Sequence, residues 1–405
     1  MTASITPRFA DRMERVQPNA IGELLALGAD PSIISFGGGY PDPDLFPAGE
    51  LEAVFTEAIR APGGQAMQYA PSDGLPRLRE QVAELMRADG TPCAASDVLI
   101  LQGSQQGLDF AARMLVNPGE GIVTEDPTFL GAIVAFDPAR PTYAPVPVDA
   151  EGLRVDLLEE TLDRTPDVRI IYTIPEFQNP TGATLSLPRR ERLMELARAH
   201  DLVVVEDAAY RQIRFAGDPL PTLKSMDTDG RVIHLGSFSK VLVPGMRLGW
   251  AVAAAPLLDR MKLLKVAADT QTATLNMTAA SLWLERYDLA AHVARLRTAY
   301  RRKKDVMLDA MRRHFPQEVE VTDPEGGLFL WARFPDSFDA TAFMRDTGLP
   351  EARDRADVIA YLRRFSVSPR DIPEAAPTAE AVSHDPDVSP EILAIQGDPA
   401  FGWLR

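Results

Sequence analysis

Short runs of apolar residues alternate with amphipathic segments through the middle of the chain. The apolar runs predict buried strands at residues 98–101, 121–124, 168–174, 202–205, 232–235 and 248–253. Segments 105–115 and 188–200 carry apolar side chains at helical spacing. Buried strands that alternate with helices are typical of an α/β fold with a mostly parallel sheet. Ligands of such folds bind beyond the carboxyl ends of the strands, so the residues that follow each strand are the first candidates for a site.

The pattern changes on both sides of this central part. Residues 1–30 predict a helix and its approach, and residues 33–47 form a loop with three consecutive glycines and three prolines. Residues 280–315 predict a helical stretch, and residues 320–334 predict a pair of strands around Gly326-Gly327. These flanking elements favour a smaller α+β domain built from both termini.

Beyond residue 338 the character of the chain changes again. Five prolines between Pro369 and Pro390, among acidic and small residues, are typical of a linker or a disordered tail. We therefore expect four parts: an N-terminal arm with part of a small domain at 1–46, a large domain at 47–279, the small domain at 280–338 and an atypical C-terminal segment at 339–405.

Composition excludes several classes of protein. The 405 residues carry 42 basic and 58 acidic side chains, a net charge of −16, which is poorly suited to nucleic acid or to an anionic membrane surface. The five histidines are scattered, and we expect no metal site. No segment looks like a signal peptide or a membrane span, so we expect a cytoplasmic location.

Two strand ends suggest groups that hold an anion. After the strand at 98–101, Gly103 permits a tight turn and a helix begins at Ser104 or Gln105, which exposes unpaired N–H groups. After the strand at 232–235, Ser237, Ser239 and Arg247 could bind a phosphate. Taken alone, the first feature is more typical of an ordinary turn between strand and helix.

Three further polar residues follow strands. Asp207 ends a run of β-branched residues, where a carboxylate is costly unless it meets a cation or a proton donor, although it could also cap a helix. Lys240 lies in an apolar turn, where a lysine can lose its proton and link to a carbonyl, although most lysines are solvated. Asn179 begins an Asn-Pro turn. An anion site, an acid and a lysine together fit pyridoxal 5′-phosphate, which has a phosphate, a basic ring nitrogen and an aldehyde.

The motifs identify a resemblance to a known family. FGGGYPDPDLFP, QYAPSDGLPRLRE, QGSQQGLD, PEFQNPTG, EDAAY and GSFSKVLVPGMRLGW resemble the fold-type-I, class I/II aminotransferases. The chain looks most like the branch of 2-aminoadipate and aromatic aminotransferases and the effector domains of related transcription regulators. The resemblance implies a pyridoxal-phosphate enzyme with a large domain at 47–279 that binds the cofactor.

The resemblance also implies roles for individual residues. Lys240 would form the Schiff base and move the proton, with Asp207 and Tyr210 as the other catalytic residues. Asp207 would hold the pyridine nitrogen protonated, and Asn179 and Tyr210 would hydrogen-bond the ring oxygen. The remaining cofactor-binding residues would be Phe129 against the ring and, around the phosphate, Gly103, Ser104, Gln105, Ser237, Ser239, Arg247 and, from the neighbouring subunit, Tyr69.

The implied reaction moves an amino group between an amino acid (aromatic, branched or dicarboxylic) and a 2-oxo acid. Gly38, Gly39 and Asn179 would contact the substrate, and Tyr69 implies a homodimer with shared active sites. The same cofactor shell would also serve a lyase or a decarboxylase, and a cofactor-binding protein that is catalytically impaired or acts as a sensor is a further alternative. Turnover that requires a 2-oxo acid distinguishes transamination from these.

The C-terminal part departs from the family pattern. The family's arginine strand, which binds the substrate carboxylate, has its nearest counterpart in Arg363 and Arg364, without the loop that normally precedes it. Segment 348–365 resembles the C-terminal helix of a class I cytochrome c, and no CxxCH haem motif is present. We expect the aminotransferase resemblance to end near residue 338, with either a fused tail or a divergent ending of the small domain beyond it.

Overall fold

The computed structural model describes residues 8–13, 16, 39–335 and 338. The chain divides into two compact units, one of residues Met1–Gln17 with Tyr40–Pro335 and one of residues Pro18–Gly39 with Asp336–Arg405. The elements below belong to the first unit. The predicted helix at 1–30 and the cytochrome-like helix lie almost entirely outside the described residues, as does the C-terminal segment 339–405.

An eight-stranded sheet forms the centre of the first unit. Its strands are β1 (Val98–Leu101), β2 (Gly121–Asp126), β3 (Thr142–Asp149), β4 (Gly152–Leu153), β5 (Val168–Thr173), β6 (Val203–Asp207), β7 (Val232–Ser237) and β8 (Gly249–Val252). They lie in the order β1-β8-β7-β6-β5-β2-β3-β4. The four pairs that join β7, β6, β5, β2 and β3 are parallel, whereas β8 is antiparallel to both of its neighbours and β4 to β3. The predicted α/β fold with a mostly parallel sheet is confirmed.

All six predicted strands are present, and the pattern missed β3 and β4. Strand β3 contains Pro145 and Pro147, which argue against a central strand, and its side chains alternate between buried and exposed instead of forming one apolar run. It occupies a place near the edge of the sheet, where only the two-residue β4 lies beyond it. Proline is tolerated there because fewer main-chain hydrogen bonds are required.

Nine α-helices surround the sheet within the described residues. They are α1 (Ala48–Arg60), α2 (Pro76–Ala88), α3 (Ser104–Leu115), α4 (Leu130–Phe136), α5 (Val155–Arg164), α6 (Leu187–Ala199), α7 (Ala255–Ala268), α8 (Thr274–Arg286) and α9 (Leu289–His314). The predicted helices at 105–115 and 188–200 correspond to α3 and α6. The predicted helical stretch at 280–315 is interrupted before Asp288, whose side chain accepts a hydrogen bond from Ala291 N at 3.0 Å and so caps α9.

Apolar cores cover both faces of the sheet. Neighbouring strand residues point to opposite faces, so Ile100 packs with Trp250 and Trp283 in one core while Leu101 packs with Phe110 in another. Burial on both faces is the reason why the strands read as continuous apolar runs. None of the helices in the described part of the chain is long and apolar enough to cross a membrane.

The topology brings several chain segments to the edge of the sheet that is formed by the carboxyl ends of its parallel strands. The parallel strands β5, β6 and β7 end at this edge, and the antiparallel β8 begins there. Gly249 lies opposite both Ser237 on β7 and Leu101 on β1. Residues that follow β1 and β7, and residues that precede β8, are therefore neighbours.

The predicted strand pair at 320–334 is present as β9 (Glu320–Val321) and β10 (Ala332–Arg333), which are antiparallel. Between them, Gly326 pairs with Arg214 in an isolated β-bridge, and Gly327 N donates a hydrogen bond to Ile213 O at 2.9 Å. The segment around the two glycines is thus hydrogen-bonded to the loop that follows β6.

Candidate active site

The start of α3 forms a cationic cradle at this edge. Gly103 caps the helix with a φ of 77°, and a Cβ placed on it would lie 2.6 Å from Nη2 of Arg247. A Cβ on Gly249 would lie 2.6 Å from Ser104 N. The guanidinium group therefore lies directly beside the first N–H groups of a 12-residue helix, which favours an anion at this point.

Two serines stand beside the cradle on the turn after β7. Ser237 ends the strand, and its Oγ accepts a hydrogen bond from Ser239 N at 3.1 Å. Both side chains are buried, whereas Arg247 is exposed. Hydroxyl groups, helix N–H groups and a guanidinium group are the donors that phosphate prefers.

Asp207, the last residue of β6, carries a buried carboxylate. The side chain is only 4% exposed, and it accepts hydrogen bonds from Tyr172 Oη at 3.2 Å and from Ala209 N at 3.4 Å. Burial raises the pKa of Asp207 to about 6, against the effect of these donors. A cationic N–H group placed beside it would restore the ionised form and form a charge-assisted hydrogen bond.

Lys240 lies in the turn after β7 and is partly buried. Burial lowers the pKa of its amine to about 8; Asp207 opposes this shift and Arg247 adds to it. The Nζ atom lies 5.6 Å from the centre of the Tyr210 ring. With this pKa the amine is uncharged in about a tenth of molecules at pH 7, far more than for a solvated lysine, and the uncharged form is the one that a nucleophile or a proton acceptor requires.

Asn179 and Tyr210 form a second polar pair near the lysine. The Nδ2 of Asn179 is 3.3 Å from the Oη of Tyr210. Burial, with a contribution from Asp207, raises the pKa of Tyr210, so its hydroxyl group remains a proton donor. The ring packs edge-on against Phe329, with 5.6 Å between the ring centres.

Gln105 and Phe129 meet at the start of α4. Nε2 of Gln105 donates a hydrogen bond to the carbonyl oxygen of Gly131, and a Cβ placed on Gly131 would lie 2.2 Å from the Phe129 ring. The side-chain amide of Gln105 is thus engaged with protein, and the phosphate contact assigned to this residue stays a prediction.

Sequence reasoning missed a buried carboxylate that joins two loops of the site. Glu125 on β2 accepts hydrogen bonds from Thr173 Oγ1 at 2.6 Å, Ile174 N at 3.1 Å and Gln178 Nε2 at 3.0 Å. The same Nε2 is 2.8 Å from Pro127 O. The loop that carries Phe129 and the loop that carries Asn179 are therefore linked through two side chains. Burial raises the pKa of Glu125 to about 7.

The remaining predicted residues lie elsewhere or are not described. Tyr69 is 81% exposed on the loop before α2, whose Ala70 N donates to Gln271 Oε1 at 2.6 Å. Gly39 has a positive φ of 56°, and Gly38 lies outside the described residues. The structure thus brings Lys240, Asp207, Tyr210 and Asn179 together, with the cradle residues beside them. No group of His, Cys, Asp or Glu in the described ranges is arranged to hold a metal ion.

These residues fit pyridoxal 5′-phosphate. The phosphate matches the cradle at α3, the protonated ring nitrogen matches the buried carboxylate of Asp207, and the aldehyde matches the desolvated amine of Lys240. The donor pair Asn179 and Tyr210 matches the ring oxygen. The fit rests on four groups of the cofactor, its phosphate, ring nitrogen, aldehyde and ring oxygen, each of which has a suitable partner at the carboxyl ends of the strands.

Comparison with known proteins agrees with this chemistry. Residues 36–366 match the family described as aminotransferase class I and II. The chain is 38% identical over 336 residues to aromatic-amino-acid aminotransferase 1 of Thermococcus litoralis (82% of this chain, 81% of the relative). It is 40% identical over 340 residues to 2-aminoadipate transaminase of Thermus thermophilus (83% and 84%).

A solved structure gives the same result. The α-aminoadipate aminotransferase LysN of Thermus thermophilus, in complex with N-(5′-phosphopyridoxyl)-L-leucine, superimposes with a TM-score of 0.77 at 38% identity (83% of this chain, 84% of that one). The family match runs to residue 366, so the similarity does not end near residue 338 as expected. Because the family match covers most of the chain and the relatives share 38% and 40% of its residues over the aligned parts, the chain belongs to the class I and II aminotransferases.

Proposed function

We propose that this pyridoxal-phosphate-dependent aminotransferase moves an amino group from an aromatic, branched or dicarboxylic amino acid to a 2-oxo acid, with Lys240 as the residue that moves the proton. The observation that carries the proposal is the joint burial of Lys240 and Asp207 beside the anion cradle. The names of the relatives, an aromatic-amino-acid and a 2-aminoadipate aminotransferase, support this substrate range. No feature of the described residues favours the lyase or the sensor alternative.

The cofactor supplies a carbonyl carbon that combines with amines and a ring that withdraws electrons from the substrate Cα. Around it, Asp207 would hold the proton of the ring nitrogen, and Asn179 and Tyr210 would donate to the ring oxygen. Phe129 would contact the ring. The residues that would hold the phosphate are Gly103, Ser104, Ser237, Ser239 and Arg247, with Gln105 as a further predicted contact.

Lys240 acts as the general base and acid of the reaction. Its amine, with a pKa of about 8, would remove the proton from the substrate Cα and deliver it to the former carbonyl carbon of the cofactor. Burial disfavours the charged form of this amine, Asp207 favours it and Arg247 disfavours it, and the resulting pKa lies close to neutral. Asp207 contributes further because its negative charge keeps the ring nitrogen protonated.

Glu125 and Gln178 act as positioning residues. Their hydrogen bonds fix the loop of Phe129 relative to the loop of Asn179, so the ring face and the ring oxygen are contacted from fixed directions. Groups that approach a reacting ring must be held to a fraction of an ångström, and a buried network provides that precision.

Gly39, with Gly38 and Asn179, is proposed to contact the substrate. We expect Arg363 or Arg364 to bind the substrate carboxylate; both lie within the family match but outside the described residues. The domain boundaries at 46, 279 and 338 and the cytoplasmic location stay predictions.

Tyr69 supports a homodimer with shared active sites. Tyr69 is 81% exposed, so its ring and its hydroxyl group are open to contact with a second subunit. In the proposed dimer the hydroxyl group donates to the phosphate of the cofactor in the neighbouring chain.

Lys240→Ala tests the proton transfer. We expect release of the 2-oxo acid product to slow by about 100-fold to 10,000-fold, because the variant lacks the amine that is proposed to carry the proton. The rate is measured in a single turnover with cofactor present. Lys262→Ala, whose side chain pairs with Asp259 on α7, is the control and should keep the wild-type rate. Sustained turnover of either protein without a 2-oxo acid acceptor would contradict transamination.

Gln178→Leu tests the link that Glu125 and Gln178 form between the loop of Phe129 and the loop of Asn179. The folded pKa of Glu125, about 7, lies above its ordinary value of 4.5, so its contribution to stability falls as the pH rises between these values. Loss of the Gln178 donor raises that pKa further. We expect the free energy of unfolding to fall by about 1–3 kcal/mol, and to fall more at about pH 9 than at about pH 5.

Chemical denaturation at the two pH values measures this effect. Gln65→Leu, at an exposed position, is the control and should change little at either pH. An equal loss of stability for Gln178→Leu at both pH values would show that the Glu125 carboxylate does not depend on this donor.

Tyr69→Phe tests the shared site. The change removes one exposed hydroxyl group, so the protein should keep twice the 44.3 kDa mass of one chain while its cofactor dissociation constant rises about tenfold. Light scattering and equilibrium dialysis give the two quantities, with Tyr40→Phe as the exposed control. A monomeric mass for the wild-type protein would exclude the dimer, and unchanged affinity in Tyr69→Phe would exclude the contact.

A further inference from the structure

A second basic site lies in the first unit, apart from the cofactor cradle. A groove of about 470 Å³ separates the segment after Tyr210 from α9. Four arginines line it, and Asp89 is the one acidic side chain in the lining; the arginines are Arg211, Arg214, Arg297 and Arg301. None of these residues belongs to the cradle of Arg247 and the two serines. In a chain with a net charge of −16, this local excess of positive charge is unusual.

Two of the four guanidinium groups are already paired within the protein. Arg211 forms ion pairs with Asp89 and with the buried Glu176. Nη1 of Arg214 is 3.0 Å from Oε2 of Glu325. These two arginines form the fixed floor of the groove.

The other two guanidinium groups, those of Arg297 and Arg301, form no ion pair with the acidic residues that the structure describes. Nε of Arg297 donates to the carbonyl oxygen of Gln212 at 2.8 Å, which fixes the guanidinium group against the groove. Arg297 and Arg301 lie four residues apart on α9, so they share one face of the helix. Within the ranges that the structure describes, neither forms an ion pair with Asp or Glu.

Arg214 provides an independent sign of a missing partner. Its side chain is 9% exposed, and its guanidinium carbon lies 4.7 Å from the centre of the Phe177 ring. Nη2 is buried without a hydrogen-bond partner. A charged donor left unsatisfied in this way is costly, and a ligand oxygen can remove that cost once the buried guanidinium group turns toward the groove that Arg214 lines.

We propose that this groove binds a small anion that carries two phosphate or carboxylate groups. Guanidinium groups bind both kinds of oxygen through paired N–H donors, and the volume lies in the range of small-molecule sites. One anionic group meets Arg214 at the floor, and the other meets Arg297 and Arg301 on α9.

Calorimetric titration of the cofactor-loaded protein with inorganic pyrophosphate, and separately with succinate, tests the proposal. Bound cofactor fills the phosphate cradle, but the substrate pocket can still take up a dicarboxylate, so binding in the groove is identified as the part that the arginine variant weakens. The more tightly bound probe identifies the kind of anionic group. We expect the double variant Arg297→Gln/Arg301→Gln to raise the dissociation constant by about tenfold or more. Both positions are exposed, so the variant should fold.

Arg302→Gln is the matched control, because it removes one charge from an exposed position of the same helix that does not line the groove. It should leave probe binding nearly unchanged. The proposal is overturned if neither probe binds saturably, or if the double variant binds both as tightly as Arg302→Gln does. The absorption band of the bound cofactor reports the active site separately in every sample.

Discussion

The structure depends most on the burial of two opposite charges at one edge of the sheet. The carboxylate of Asp207 is buried and the amine of Lys240 is partly buried, and burial moves each pKa toward neutrality, to about 6 and about 8. Their mutual attraction opposes both shifts but does not cancel them. Groups with perturbed pKa values in a shared site are suited to holding a protonated ring nitrogen and to moving a proton at neutral pH.

The antiparallel strand β8 explains how the anion cradle comes to lie beside these charges. Because β8 lies between β1 and β7, its first residue meets the ends of both neighbours. Arg247 precedes this strand and therefore lies at the start of α3. Glycine at positions 103 and 249 permits the approach, since a Cβ at either position would overlap Arg247 or Ser104. A wholly parallel sheet would place Arg247 at the opposite edge.

Much of the fold and of the site follows from the sequence because the signals are local. Apolar runs identified six strands, and motifs at strand ends identified Lys240, Asp207 and Asn179, which the structure brings together. Strand β3 was missed because Pro145 and Pro147 are atypical of strands. Glu125 and Tyr172 were missed because they lie within buried strands, and only their partners on distant segments show what they contact. The four arginines of the groove were also missed. They lie on segments about 80 residues apart, and only the fold shows that these segments meet.

The visible absorption spectrum of the cofactor-loaded protein shows whether the site carries out the first half of amino transfer. Aromatic, branched and dicarboxylic amino acids are added one at a time, without a 2-oxo acid. We expect the band of bound cofactor to disappear with at least one of them, and one equivalent of 2-oxo acid to be released per chain. A protein that binds no cofactor, or a band that no amino acid changes, would contradict it.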